Sequence, residues 1–183
     1  MKPRHLIVPA LLSLALVSCA SLEVPAPASS SSTLLVLPFV VDNRSERSGP
    51  LGFNYTYRIE SIDHSTQPLT VVFKRKMPGD MLLVDSLAPG KYHLTRVGIF
   101  PAGSGDHSYA VNSYDVDQRF ELAAGSITVF PISLNIDIYN STPGRGNSTT
   151  YGRSLEPVNS AQRAEIVKTL RESPNFDSWK LIL

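Results

Sequence analysis

One cysteine stands in 183 residues, so no intrachain disulfide can staple this chain. Stability has to come from apolar burial, and the residues after position 18, about one domain's worth, are enough to bury roughly two thirds of their unfolded surface without a metal or disulfide. Long apolar runs are missing too. Residues 6–17 are apolar but too few to cross a bilayer as a helix, and no later run approaches that length. Charge of one sign is also lacking: 17 Lys and Arg face 16 Asp and Glu, and with Lys2 and Arg4 set aside the remaining chain is close to neutral. Nucleic-acid binding needs a basic stripe, and none is present. There is no HExxH, CxxC or GxSxG pattern, which removes the usual routes to a zinc centre or a serine-hydrolase elbow. No cofactor is expected.

What is present begins at the amino terminus. Lys2, Arg4 and His5 precede the apolar stretch, which ends in Leu16-Val17-Ser18-Cys19. A basic start, a short apolar body and small residues at its end are the parts of a secretory signal. The array resembles a bacterial lipoprotein signal, whose pattern is a leucine, two small or aliphatic residues and an invariant cysteine. That resemblance implies cleavage between Ser18 and Cys19, thioether lipidation of Cys19 and acylation of the new amino terminus. It also implies the outer membrane, on its periplasmic or surface side, because Ala20 rather than aspartate follows the cysteine. Acyl chains contribute roughly 0.8 kcal/mol per buried methylene, so three of them make a permanent anchor.

Residues 19–32, the lipidated cysteine followed by a run rich in Ala, Pro and Ser, offer too little apolar surface to offset the entropy of ordering them, and read as a flexible tether. Thirteen such residues stretch to about 40 Å and average nearer 20 Å, which lets the domain hover above the membrane. Residues 33–140 read as strands divided by turn chemistry. The first, 33–41, contains Pro38 and is expected at a sheet edge or a bulge. In 53–60, Phe53, Tyr55, Tyr57 and Ile59 alternate with Asn54, Thr56, Arg58 and Glu60, the pattern of a half-buried strand. Further strands are expected at 69–75, 81–87, 91–99, 118–122 and 126–138, the last with a bulge or bend at Pro131. Residues 141–154 read as a mobile loop. Asn159 or Ser160 can then cap a helix reaching Glu172, with Gln162 placed to close a capping box. Within 141–183 that helix, with Ile166, Val167 and Leu170 on one face, is expected to pack on the strands, and the apolar end from Trp179 to Leu183 to fold back on the sheet.

Short strands at this spacing predict a mainly β fold, an antiparallel β-sandwich of about seven or eight strands with one C-terminal helix. Two segments sharpen it: Leu87-Ala88-Pro89-Gly90-Lys91-Tyr92-His93-Leu94 and Phe120-Glu121-Leu122-Ala123-Ala124-Gly125-Ser126-Ile127. Together they resemble the recurring pair of transthyretin-like sandwiches, which occur in small bacterial lipoproteins and in the regulatory modules attached to carboxypeptidases. The resemblance implies an adaptor role in an envelope assembly.

Catalytic constellations are hard to find. Ser104, Asp106 and His107 are near neighbours, whereas the members of a triad converge from different elements. His64, His93 and His107 have no companion at metal-ligand spacing. Asp115 with Asp117, and Asn135 with Asp137, place paired oxygens on strand faces, but a calcium site gathers six to eight and the EF-hand spacing is absent. Arg145 and Arg153 flank a glycine-rich stretch and could grip a phosphate or carboxylate of a partner. The leading expectation is a noncatalytic, lipid-anchored binding or adaptor module whose partners are the membrane, through its lipid, and an envelope protein, with no nucleic acid. The alternative is a small envelope hydrolase or carbohydrate-active enzyme, for which Asp115 or Asp117 would meet another acid across a cleft.

Overall fold

The computed structural model describes residues 23–43, 53–64, 66–74, 81–101, 112–140 and 149–183. In chain order these form β1 (Thr33–Asn43), β2 (Phe53–Ser61), β3 (Leu69–Lys74), β4 (Met81–Val84), β5 (Gly90–Pro101), β6 (Asn112–Leu122), β7 (Ser126–Val129), β8 (Ile132–Asn140), β9 (Thr149–Pro157), α1 (Ser160–Glu172), a 3₁₀ turn at Phe176–Ser178, and β10 (Lys180–Ile182). The fold is mainly β, with one α-helix near the carboxy terminus. One sheet is antiparallel, in the order β3-β2-β5-β6; the other has six strands, β10-β7-β1-β8-β9 with β4 also on β1. The whole is a curled half-barrel.

The six-stranded sheet departs from the antiparallel expectation. β1 runs parallel to both β7 and β8, and β10 runs parallel to β7, while β4 and β9 pair antiparallel. The cause lies in β1, which is central rather than an edge strand. Leu35, Leu37 and Phe39 point into one core and Leu34 and Val36 into another, so both faces are buried, and an uninterrupted aliphatic run is what such a strand requires. Pro38 is tolerated in the middle of the sheet because it stands where β1 changes partner. Val36 pairs with Val129 and Phe39 with Leu134, so three steps along β1 face five along the other chain, and the surplus is taken up around Phe130 and Pro131.

The first core lies between the two sheets. Tyr57 and Ile59 of β2, Tyr92, Leu94 and Val97 of β5, and Leu122 of β6 meet Leu35, Leu37, Leu134 and Ile136 from the other sheet. Its aromatic part is ordered: the Tyr92 and Phe120 rings stack with centroids 5.8 Å apart, and Phe120 meets Phe130 edge-on at 5.4 Å. The second core lies under α1, where Ile166 and Leu170, one turn apart, join Leu34, Val36, Ile127, Val129 and Trp179. Burying those two helix residues contributes roughly 1.5 to 3 kcal/mol each. Asn159 caps α1, its Oδ1 accepting from the Gln162 N–H at 2.9 Å. The Gln162 side chain turns away from the capping box and donates to Ser133 Oγ at 2.9 Å, fastening the first turn of the helix to β8.

Two boundaries are corrected. Residues 149–154, expected within a loop, belong to β9, whose ladder runs the full length of β8 from Ile132–Pro157 to Asn140–Thr149. Within residues 23–32, expected as tether, Val24 and Pro25 are held against the domain, with Val24 completely buried in the second core, and Ser32 O accepts from the Gly125 N–H.

Candidate functional site

Cys19, Ser18, Ser104, Asp106, His107 and Arg145 lie outside the described residues. Arg153 stands in β9 opposite Ile136. His64 occupies a left-handed turn position with φ 54°, its N–H bonded to Ser61 O. The remaining sequence candidates fall on the sheets. His93 is on β5 and Asp117 on β6, with Nε2 2.7 Å from Oδ1 but out of line for an N–H···O bond. Arg96 Nε donates to Asp115 Oδ1 at 3.1 Å, and Arg58 Nε to Glu60 Oε1 at 2.7 Å. The Arg58 guanidinium holds the Glu60 carboxyl below the usual carboxylate range.

These pairs lie on the solvent face of β2, β5 and β6, where the ladders on both sides of β5 shift register beside Thr95. Its Oγ1 donates to Arg58 O and Glu60 Oε1, each at 3.3 Å. The effect is a mixed-charge surface in which Asp115 and Asp117 face cations across β5 and β6, and Glu60 faces Arg58 along β2. Asp115 and Asp117 are 82% and 80% exposed, so neither stands in a cleft with a second acid. On β8, Asn135 Oδ1 accepts from Ser133 Oγ at 3.1 Å. Among the described residues no group of three or more His, Cys, Asp or Glu could hold a metal ion. No described helix is long and apolar enough to cross a membrane.

The features that sequence reasoning missed are at the other end of the domain, around the last turn of α1. Val24 N–H donates to Ser173 Oγ at 2.6 Å, Asn175 Nδ2 donates to Val24 O at 3.1 Å, and the Trp179 indole N–H donates to Pro25 O at 2.9 Å. Three side chains thus act as an artificial strand partner for residues 24 and 25. Asn175 sits at φ 65°, a left-handed position that asparagine tolerates better than other non-glycine residues. The signal for this dock was a single aliphatic residue, Val24, in a Pro- and Ser-rich run, facing a polar turn 149 residues away. Alongside it, the outer side of α1 borders an open groove of about 610 Å³, lined by Arg163, Val167, Lys168, Arg171, Glu172 and Leu183. Lys168 is engaged by Glu165 at 3.6 Å, and Leu183 is 57% exposed.

No family model, curated protein or solved structure matches this chain.

Proposed function

We propose that the mature chain is a noncatalytic binding or adaptor module, anchored through a lipid on Cys19 to the outer membrane of a bacterial envelope, where it engages another envelope protein. The observation that carries this reading is the sequence Leu16-Val17-Ser18-Cys19 behind a basic start and a short apolar stretch. The sheet surfaces support the noncatalytic part. Asp115 and Asp117, the acids an enzyme reading would use, are exposed on one strand and face Arg96 and His93 rather than a second acid. A glycosidase needs two carboxyls on opposite sides of a bound sugar.

In this reading the two sheets are the halves of an elaborated transthyretin-like sandwich. Its support is that the two segments carrying that resemblance meet: Tyr92 of the first pairs with Phe120 of the second and stacks on it. Tyr92 also donates from its hydroxyl to Ala88 O at 2.8 Å, closing the Pro89-Gly90 turn of its own segment.

The test uses two variants in cells that depend on the protein. Cys19→Ala should lose acyl labelling and leave the membrane fraction, while Asp115→Asn with Asp117→Asn should function as wild type. A Cys19→Ala protein that still labels refutes the anchor. A paired-aspartate variant that folds but has no function refutes the noncatalytic reading.

A further inference from the structure

Where the chain enters the domain decides which end of it faces the membrane. The described chain begins at Glu23, and Val24 is pinned by Ser173 and Asn175 and covered on all sides. Cys19 precedes Val24 by five residues, and five Cα steps span at most about 18 Å even fully extended, against the roughly 40 Å that a tether reaching Ser32 would allow. Resting on the lipid anchor proposed above, we infer that the end of the domain built from Val24, Ser173, Asn175 and Trp179 is apposed to the lipid headgroups, so that the module works at the bilayer surface instead of reaching into the space beyond it.

The occupant of that end is a headgroup layer, and the leash alone holds it there. The exposed charges around the dock are Glu23, Glu172 and Asp177 against Arg171 and Lys180. Such a mixture has no field of one sign to draw it onto anionic lipid, and it suits headgroups that themselves carry both charges.

Trp179 is the only tryptophan and donates to Pro25, so it reports the position of the dock without any added label. The full lipidated chain is reconstituted into phosphatidylcholine vesicles carrying a dansyl-labelled phosphatidylethanolamine, and flotation and Trp179-to-dansyl energy transfer are measured together. The wild type should float and transfer strongly. A spacer of about twelve Gly and Ser residues between Ala20 and Ser21 raises the mean reach of the leash from roughly 12 Å to roughly 23 Å and should cut transfer about twofold or more while leaving flotation intact. Salt should change neither protein's signal. Equal transfer from wild type and spacer variant, both floating, overturns the apposition while sparing the anchor. Failure of the wild type to float overturns the anchor and the inference with it.

Discussion

Truncating Val24 to alanine separates a docked segment from a free one. The side chain is completely buried, in the same cluster as Ile166, Leu170 and Trp179. Removing its two methyl groups forfeits roughly 1.5 kcal/mol of transfer free energy, and incomplete collapse of the space left behind raises this to about 1.5–2.5 kcal/mol. For a chain of this size about 2–4 °C of Tm follows each kcal/mol, so the midpoint should fall by about 3–10 °C. Ser173→Ala attacks the same dock from the other side: it leaves the buried Val24 N–H without its acceptor, at a cost of about 1–3 kcal/mol. The two losses should be less than additive, since either one loosens the dock that the other needs. The assay is thermal or urea unfolding of the chain from residue 19 with Cys19 replaced by serine, followed by Trp179 fluorescence. Val167→Ala, on the half-buried groove side of α1, serves as the control and should cost less than about 1 kcal/mol. If Val24→Ala melts with the wild type, residues 23–25 are tether after all, and both the dock and the membrane apposition fall.

Gly125 has φ 68° in the turn between β6 and β7, its N–H bonded to Ser32 O and its carbonyl to the Lys180 N–H. An added Cβ would meet Ser30 O at an ordinary 3.6 Å, so Gly125→Ala should cost only the conformational penalty, about 1–2 kcal/mol, read as a lower Tm with unchanged spectra. Tyr92 titrates above the ordinary phenol range because burial, reinforced by the Asp63 charge, disfavours the phenolate. A raised folded pKa gives stability that is complete below the unfolded value near 10 and disappears as pH climbs through the folded one; Tyr92→Phe should flatten the alkaline limb of a stability-against-pH curve, and an unchanged limb refutes the assignment.

Strand positions were legible where one face is wet. In β2 the alternation of Tyr57 and Ile59 with Arg58 and Glu60 leaves one register, and the structure has it. Helix α1 was equally plain, because Asn159 and the Ile166–Leu170 spacing are local signals. Parallel pairing was not legible. The partners of β1 are decided by which sheet closes over which core, and an aliphatic run buried on both faces has no periodicity to say so. β9 was hidden for the opposite reason: Thr149-Thr150-Tyr151-Gly152-Arg153-Ser154 has the composition of a loop, and its ladder is supplied by β8.

The dock at Val24 shows why composition misjudged residues 24 and 25. Disorder follows when a segment cannot repay its ordering entropy, which fixing the backbone alone sets at about 1–2 kcal/mol per residue. Counted within residues 20–32 the balance is unfavourable, since Val24 is one of only two large aliphatic side chains there. The compensation comes from the other end of the chain: an apolar pocket already formed by Leu170 and Trp179, with Ser173, Asn175 and the Trp179 indole each presenting a donor or acceptor to the backbone of residues 24 and 25. Those three groups satisfy peptide bonds that would otherwise be buried unpaired, so the segment joins the domain without belonging to either sheet. On the anchor proposed above, a tether that ends at Val24 rather than at Ser32 would hold the domain at the surface instead of displaying it at a distance. The distinction rests on hydrogen bonds between residues about 150 positions apart, which no local reading of the sequence could supply.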